Sequence, residues 1–419
     1  MRRTAEKPAE KNILFKRILL SLTILIFIRM GTFLPIPGVN PLEIEFFLER
    51  NSIARTFVSA FSGNETFVIG IFALNIFPYI NASILIQVLT NIIPYLSKLQ
   101  KEGGSEGKRI ISRLTRLITF AWAFIQSVSL SLYLTRVLMN WNLFLIIEII
   151  IWLTTGSMII LWLSELITEY GLGNGPSLLI YINIVSSLPN ISKKIVLENN
   201  EKLNFGSSLI ILLLLLFAIC GIIMLQESAR LIPLISSKEL SSLGVNSQKS
   251  NYIPLRFNQA GVMPIILTTG VLVIPTYINS LGFLPLISFP YLIQASQIIY
   301  WSSYFLLILG FSLIYSSIIL NPKDISEQLQ KMAVAIPGIR PGIVTTFYLK
   351  EIMRRVTILG AILLALLATL PNIIEGILGI SSLNGLGTTS LLILVGVILD
   401  TSREIRSLRI SNIYTEMFD

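Results

Sequence analysis

The sequence predicts an all-α membrane protein that crosses a bilayer with about ten helices. Hydrophobic residues make up 53% of the 419-residue chain and charged residues only 13%. Soluble domains carry roughly 25% charged residues. Because one helical span takes about 20 apolar residues, ten spans would occupy about half of the chain. The composition therefore leaves no room for a large soluble domain.

Ten stretches of the chain have the apolarity of membrane-spanning helices. Each is a run of apolar residues that ends at charged residues, proline or glycine. The fifth and the tenth run are short, and they are included because the alternation of charge between the loops requires them. The predicted spans are 13–33, 69–95, 117–135, 143–166, 177–188, 208–225, 262–281, 298–320, 357–370 and 388–399.

The first span follows a basic N-terminal segment that looks like the start of a signal peptide. No small-residue cleavage site follows its apolar run, which ends in the sequence MGTFLP at 30–35. Glu6 and Glu10 argue against an organelle transit peptide, because such peptides are poor in acidic residues. We therefore expect a first span that is retained.

The basic residues are sorted strongly between the two sides of the predicted membrane. With the N-terminus in the cytoplasm, 25 of the 32 lysines and arginines lie on the cytoplasmic side and six on the other, while Arg29 lies within the first span. This is the positive-inside pattern, and it predicts that both termini are cytoplasmic. The net charge of +9 is thus explained by membrane orientation, and binding to nucleic acid is not required.

The residue types exclude several classes of catalytic and metal site. The chain has no histidine, which rules out Ser-His-Asp triads and histidine-based zinc sites, and its one cysteine, Cys220, permits no disulfide within the chain. The Gly-x-Ser-x-Gly match at 103–107 lies in a basic loop without a preceding strand or a partner base. A phosphate loop fails there because of Glu102 and Arg109. We expect no enzyme activity, no cofactor and no metal.

Several spans contain polar residues, which are costly in hydrocarbon unless they face protein or water. They either line an interior or join neighbouring helices through amide and hydroxyl contacts, and both interpretations stay open. These residues are Asn75, Asn81, Ser83, Gln87, Thr90 and Asn91 in the second span, Gln126 and Ser127 in the third, and Asn258 at the start of the seventh.

In the loop before the second span, the amphipathic stretch 53–61 is too short to cross a bilayer. It favours an interfacial helix over a re-entrant segment.

The loop after the eighth span contains a predicted stiff turn. Its sequence AIPGIRPG at 335–342 places Arg340 between two Pro-Gly pairs, which favour tight turns. This arrangement indicates a projecting docking tip with a charge at its end. The alternative is an ordinary arginine that only contributes to membrane orientation.

Six motifs, in order along nearly the whole chain, resemble those of the SecY family of protein-conducting channels. The motifs are FALNIFPYI at 72–80, QKEG at 100–103, YGLGNG at 170–175, NQAGVMP at 258–264, IPGIRPG at 336–342 and TSLLI at 389–393. Asn75 departs from the pattern, because relatives commonly have a small residue there.

The resemblance implies ten transmembrane helices in two pseudo-symmetric halves of five helices around a central, hourglass-shaped pore. The N-terminal half would be 1–190, with spans one to five and a plug segment at about 51–66. The C-terminal half would be 191–402, with spans six to ten and cytoplasmic docking loops at about 227–257 and 321–355. Residues 403–419 would form a cytoplasmic tail.

The resemblance also implies an apolar ring at the narrowest point of the pore. The β-branched side chains of such a ring would exclude water and ions and still yield to a passing chain. Two pairs of the matched residues are spaced i, i+4, so each pair lies on one helix face. The ring residues would be Ile76, Ile80, Ile180, Ile184, Ile266 and Ile393.

Three further sites are implied by the resemblance. The segment 53–63 matches the plug helix that blocks the outer funnel, with Phe57, Phe61, Ser62 and Gly63 as plug residues. Thr90, Gln126 and Asn258 would lie at a lateral gate, where the second and third spans meet the seventh and eighth. Arg256 and Arg340 would lie on the loops that dock the SecA ATPase or a ribosome.

The same resemblance implies the partners and the location. The partners would be SecE-like and SecG-like small membrane subunits, SecA, the ribosome, signal-bearing precursor polypeptides and the lipid bilayer. The sequences of 173–180 and 386–396 most resemble plastid and cyanobacterial forms, which favours the plastid thylakoid membrane over a bacterial plasma membrane.

Two alternative functions are a secondary transporter and an intramembrane enzyme. A secondary transporter would need a polar site at the midplane of the membrane, where isoleucines are expected here. An intramembrane enzyme would need a base to activate its nucleophile.

Overall fold

The structure is a computed structural model, and it is mostly helical. It describes residues 8–36, 70–102, 104–134, 142–199, 205–236, 251–259, 261, 263–265, 267–268, 297–319, 321–378 and 388–418. The helices are α1 (Pro8–Gly31), α2 (Phe77–Ile92), α3 (Pro94–Glu102), α4 (Gly104–Leu134), α5 (Leu143–Tyr170), α6 (Gly175–Asn199), α7 (Phe205–Glu227), α8 (Gln297–Ile319), α9 (Pro322–Lys331), α10 (Ile343–Leu378) and α11 (Thr388–Phe418). The strands are β1 (Ala229–Ser236), β2 (Asn251–Arg256) and β3 (Val334–Ala335).

Two helical stretches of the described residues are long and apolar enough to cross a membrane, judged by length and composition. They are Leu143–Tyr170 and Ile343–Thr369. Shorter apolar stretches overlap other predicted spans, at Phe77–Thr90, Gly175–Ser186, Leu216–Glu227 and Ser302–Ser316. Most of the predicted seventh span, 262–281, lies outside the described residues. The count of ten spans therefore stays a prediction.

The chain divides into two compact units. Unit 1 comprises Met1–Lys193 together with Val397–Asp419, and unit 2 comprises Lys194–Gly396. In unit 1, α4 packs against both α2 and α5, and α1 packs against α5. In unit 2, α10 packs against α7, α8 and α9. One long helix thus organises the packing of each unit.

A row of small buried side chains runs along α4 at a spacing of four residues. Residues four apart share one helix face, and short side chains allow the backbones of neighbouring helices to approach closely. The hydroxyl of Thr119 donates to the Thr115 carbonyl oxygen at 2.7 Å, within its own helix. The row consists of Thr115, Thr119, Ala123, Ser127 and Ser131.

The second span is not helical throughout. The sequence predicts a span over 69–95, but α2 begins only at Phe77 and is preceded by turns over 71–76. Asn75 has a left-handed backbone with φ of 51°, and its Oδ1 accepts a hydrogen bond from the Ile76 backbone N–H at 2.9 Å. Pro78 lies in the first turn of α2, where its missing N–H costs no helical hydrogen bond. The left-handed residue and the proline together fix where the helix starts.

The turn segment before α2 contacts the backbone of two other segments of the chain. The Ile71 N–H donates to the Leu34 carbonyl oxygen at 3.1 Å. A Cβ atom built on Gly156 of α5 would lie only 2.1 Å from the Ile71 carbonyl oxygen. Only glycine therefore allows α5 to approach this segment so closely.

The glycine-rich stretch 171–175 forms the tight turn that the sequence predicts. The Gly171 N–H closes the end of α5 by donating to the Ile167 carbonyl oxygen at 2.8 Å. Gly173 has φ of 83°, a conformation that favours glycine. The Gly175 N–H at the start of α6 donates to the Thr168 hydroxyl oxygen at 3.0 Å.

A small sheet in unit 2 corrects the prediction of an all-α fold. Its strand order is β2-β1-β3, with both pairs antiparallel. Together with α9 and the first part of α10 it encloses a hydrophobic core. We call 229–236, 251–257 and 322–356 the sheet subdomain. The buried residues of its core are Ile232, Leu255, Leu329, Ile336, Leu349, Ile352, Met353 and Val356.

We expect Gly156→Ala to destabilise the protein by about 1–3 kcal/mol, because the added methyl group would collide with a main-chain carbonyl that cannot rotate away. The control is Gly310→Ala on α8, where no atom lies within 4 Å of the built Cβ and alanine favours the helix. Melting temperatures of the purified variants in detergent measure the difference. Equal melting temperatures for the two variants would contradict the close approach at Gly156.

Candidate functional site

The predicted ring residues differ in their exposure. Ile76 directly precedes α2 and Ile80 lies one turn further on, and they are 1% and 2% exposed. Ile180 and Ile184 on α6, and Ile393 on α11, are half-buried. The structure therefore buries one of the two i, i+4 pairs and leaves the other partly accessible. The sixth ring residue, Ile266, lies outside the described residues.

The predicted plug also lies outside the described residues. This applies to the whole segment 51–66 and to its named members Phe57, Phe61, Ser62 and Gly63. The plug stays a prediction.

Two of the predicted gate residues lie in unit 1, on helices that pack against each other. Thr90 of α2 is buried, and its hydroxyl donates to the Gln87 carbonyl oxygen at 2.8 Å. Gln126 of α4 has a buried Oε1 with no hydrogen-bond partner among the described residues. A buried acceptor without a partner costs about 1–3 kcal/mol, so Gln126 is the gate candidate with an unused polar group.

The third predicted gate residue, Asn258, lies in unit 2 and is buried. Its side-chain Nδ2 donates to the Gly261 carbonyl oxygen at 3.0 Å. Gly261 has a left-handed backbone with φ of 62°. The amide of Asn258 thus closes a turn at the start of the predicted seventh span.

Most hydroxyl groups in the predicted second and third spans bond to their own helix. Ser83 donates to the Ile80 carbonyl oxygen at 3.0 Å, and Ser127 donates to the Phe124 carbonyl oxygen at 2.8 Å. Neither bond joins two helices, so these residues do not act as the hydroxyl contacts between helices that the sequence allowed. A threonine or serine hydroxyl finds such a carbonyl three or four residues earlier in its own helix.

The two predicted docking arginines both lie on the sheet subdomain and are exposed. Arg256 ends β2, where it pairs with Ala229 of β1. Arg340 lies on the turn between β3 and α10, and its side chain makes no hydrogen bond or ion pair with the described residues. Both guanidinium groups are therefore accessible to a partner.

Hydrogen bonds hold the turn that carries Arg340 both before and after the arginine. Ile339 N–H donates to the Ile336 carbonyl oxygen at 3.0 Å before the arginine. After it, the Ser326 hydroxyl of α9 donates to the Gly342 carbonyl oxygen at 3.0 Å, and Thr345 Oγ1 donates to the Arg340 carbonyl oxygen at 2.8 Å. These bonds hold the stiff tip that the two Pro-Gly pairs predict.

Sequence reasoning missed the sheet that joins the two predicted docking loops. The signal was present in β2, where Ile253, Leu255 and Phe257 alternate with exposed Tyr252 and Arg256. Alternation of apolar and polar residues is the mark of a strand with one buried face. The run is only a few residues long, and Pro254 within it argued against a strand.

Sequence reasoning also missed contacts between residues that lie far apart in the chain. Arg116 of α4 pairs with Glu165 of α5, with Nε and Nη2 each 2.9 Å from a carboxylate oxygen. In unit 2, the Ser316 hydroxyl of α8 contacts both Gln259 and Thr357. No local pattern marks these partners, since 41 to 57 residues separate them.

Comparison with known proteins finds extensive similarity. The SecY family model matches residues 70–402. The protein translocase subunit SecY of Trieres chinensis is 61% identical over 98% of this chain and 99% of its own length. The corresponding proteins of Guillardia theta and Synechococcus elongatus are 44% and 40% identical, over 98% and 96% of this chain and 98% and 93% of their own.

Solved channel structures share the fold. A SecY structure described for a plug domain that stabilises the closed state of the translocation channel has a TM-score of 0.67 at 15% identity, over 97% of this chain and 98% of that one. Sec61 in a canine ribosome-channel complex from the endoplasmic reticulum has a TM-score of 0.64 at 15% identity, over the same shares. At this identity the likeness concerns the fold alone.

Proposed function

This chain belongs to the SecY family, and from that premise we propose that it is the pore-forming subunit of a Sec-type protein translocase, which passes unfolded, signal-bearing polypeptides across a membrane. The observation that carries the function is the family match over 70–402, together with 61% identity to a SecY subunit over almost the full length of both chains. We further propose that hydrophobic segments leave the channel sideways into the bilayer, past Thr90, Gln126 and Asn258.

We propose ten spans in two pseudo-symmetric halves. Nine of the ten predicted spans coincide with described helices, which supports the count. A repeated contact supports the symmetry. Gly156 of the fourth span faces the carbonyl of Ile71, which precedes the helix of the second span, and Gly360 of the ninth faces the carbonyl of Phe257, which precedes the seventh, with built Cβ distances of 2.1 and 2.0 Å. Spans two and seven, and four and nine, are the pairs that five-plus-five symmetry relates.

The energy for transport is proposed to come from a partner. The chain carries no phosphate loop, and the exposed Arg256 and Arg340 offer docking groups. We propose that SecA or a ribosome binds there. The similarity to Sec61 in a ribosome-channel complex supports a ribosome as partner. Arginine suits either partner, because it binds phosphate as well as carboxylate. SecE-like and SecG-like small membrane subunits are proposed to complete the complex.

We propose that the six isoleucines of the ring line the translocation path. An apolar, β-branched constriction would exclude water and ions when no chain is present. Ile180, Ile184 and Ile393 keep part of their surface accessible, whereas Ile76 and Ile80 are buried. The latter pair would then become exposed only as the path widens.

We propose the thylakoid membrane of a plastid as the location, with a bacterial plasma membrane as the alternative. Relatives from algae and cyanobacteria, at 40% to 61% identity, support this choice.

The proposed topology can be tested by labelling single cysteines in a Cys220→Ser background. Ser105, Glu327 and Asn142 are exposed, so a cysteine at each is accessible to reagent. We expect labelling of Ser105→Cys and Glu327→Cys from the cytoplasmic side and of Asn142→Cys from the opposite side. A membrane-impermeant maleimide applied to sealed vesicles makes the measurement. Labelling of Asn142→Cys and Ser105→Cys from the same side would overturn the topology.

The proposed ring can be tested with Ile393→Asn. A polar side chain wets an apolar constriction, so we expect higher ion conductance and transport of precursors with weak signals. Conductance in planar bilayers and transport of a precursor with a defective signal measure the two effects. The control Ile393→Leu keeps the apolar volume and should behave like the wild type. Unchanged conductance and signal stringency in Ile393→Asn would remove the support for this ring position.

The proposed docking role of Arg340 can be separated from membrane orientation. Arginine binds carboxylate or phosphate with a planar, bidentate fork that lysine cannot reproduce. We therefore expect Arg340→Glu to abolish SecA-driven transport and Arg340→Lys to impair it. Precursor transport and SecA ATPase stimulation in proteoliposomes are the measurements.

The matched control for Arg340→Glu is Lys350→Glu, which makes the same charge reversal at another exposed position of the sheet subdomain. We expect a much smaller effect there, because only the general electrostatic attraction is reduced. If Arg340 served orientation alone, Arg340→Lys would be silent, since both residues count equally in positive-inside sorting. Wild-type transport in Arg340→Lys would therefore refute the docking role.

A further inference from the structure

Three polar side chains of unit 2, the buried Ser316 and Thr357 and the half-buried Gln259, form a hydrogen-bonded chain between segments that are distant in sequence. Ser316 Oγ on α8 donates to Gln259 Oε1 at 3.3 Å. Ser316 Oγ and Thr357 Oγ1 on α10 are 2.9 Å apart. Because the Ser316 hydroxyl has one proton and gives it to Gln259, Thr357 is the donor in the second bond. The direction of the chain is thus Thr357 to Ser316 to Gln259. We call these three residues the polar clamp.

The polar clamp holds the start of the predicted seventh span against α8 and α10. Phe257, two residues before Gln259, is held as well, because its N–H donates to the Ser228 carbonyl oxygen at 3.1 Å. The Phe257 carbonyl lies against Gly360, where a built Cβ atom would be 2.0 Å from its oxygen. Thr357 and Gly360 are three residues apart and share one face of α10. One helix turn therefore fixes both the backbone and the side chain of this segment.

The segment before the polar clamp belongs to the sheet subdomain. β2 ends at Arg256, and its Leu255 is 2% exposed in the hydrophobic core. The same core includes Ile336, four residues before Arg340. A displacement of either docking arginine therefore acts on a packed body that continues directly into the polar clamp.

A glycine with a left-handed backbone follows the polar clamp. Gly261 has φ of 62°, and no atom of the described residues lies within 4 Å of its built Cβ. Asn258 Nδ2 donates to the Gly261 carbonyl oxygen at 3.0 Å. The Gln259 Nε2 is buried without a partner among the described residues. The attachment is thus followed by a glycine, whose backbone can change direction at less cost than that of other residues.

From this geometry we propose that Gln259, Ser316 and Thr357 are positioning residues that couple the docking of a partner on the sheet subdomain to the start of the seventh span. The proposal rests on the proposed function of the chain as a translocation channel. With the polar clamp intact, movement of the sheet subdomain carries residues 257–259 with it and bends the chain at Gly261. With the polar clamp broken, partner binding is kept and its effect on the span is weakened.

The test uses Thr357→Val, which keeps the shape of the side chain and removes the hydroxyl. The matched control is Thr369→Val on the same helix, because Thr369 is also buried and, among the described residues, its hydroxyl bonds to the carbonyl oxygens of Ala365 and Leu366 in its own helix. Each variant is reconstituted with its small subunits and SecA in proteoliposomes. Two quantities are measured: the affinity of SecA for the vesicles, and the number of precursor molecules transported per ATP hydrolysed.

We expect Thr357→Val to lower transport per ATP by about threefold to tenfold, the range for one lost buried hydrogen bond, with unchanged SecA affinity. Thr357→Ser should restore the wild-type ratio, and Thr369→Val should keep it. If Thr357→Val did not fold, Ser316→Ala would break both bonds of the polar clamp, with Ser312→Ala, buried one turn away, as its control.

A wild-type ratio in Thr357→Val, or an equal loss in Thr369→Val, would overturn the coupling and leave the proposed function intact. A loss of SecA affinity together with transport would also overturn it, because the hydroxyl would then support the docking surface itself. Failure of the wild-type protein to transport any precursor, with SecA or with ribosomes, would instead overturn the proposed function on which the coupling rests.

Discussion

Every backbone N–H and C=O group inside a bilayer needs a hydrogen-bond partner within the protein, because hydrocarbon offers none. Helices satisfy this requirement along most of the described chain. Where a helix is interrupted, local bonds replace the helical ones. Before α2, Ala73 N–H and Asn75 N–H donate to carbonyl oxygens of Gly70 and Phe72 at 2.9 and 3.0 Å. Between α5 and α6, the hydroxyl of Thr168 accepts the N–H of Gly175. The interruption before α2, which lies within the predicted second span, is therefore compatible with a membrane interior.

The helices and the positions of the tight turns could be predicted from local sequence. Apolar runs mark helices, and the glycines at 171–175 and the Pro-Gly pairs around Arg340 require special backbone angles that few other residues adopt. The start of α2 at Phe77 is harder to predict, because it depends on Asn75 adopting a left-handed conformation that asparagine tolerates but does not require. Apolar residues surround it on both sides, and they indicated a continuous span.

The candidate site was predicted less completely than the fold, for a physical reason. A residue's exposure and partners depend on segments that are distant in sequence, and a single sequence does not reveal which segments meet. Arg340 was recognisable because its own neighbours make the turn. The polar clamp was not, since Gln259, Ser316 and Thr357 each occur in an ordinary context and acquire their role only where α8 and α10 bring them together. The sheet subdomain was missed for the same reason, because its core draws on three separate segments.

The same kind of backbone contact occurs in both units, and the units differ in the side-chain bonds that accompany it. In each, a helix glycine receives the main-chain carbonyl of a non-helical segment that leads into a span, at Gly156 in unit 1 and at Gly360 in unit 2. Asn75 adds only a bond to its own neighbour, Ile76, in unit 1. In unit 2 the polar clamp adds side-chain bonds to two helices, directly after a strand that ends in the exposed Arg256. A glycine–carbonyl contact that only positions a span needs no side-chain bonds to other helices. The extra bonds occur in the unit that carries the proposed docking arginines, and this placement favours a role in transmitting partner binding over a role in stability alone.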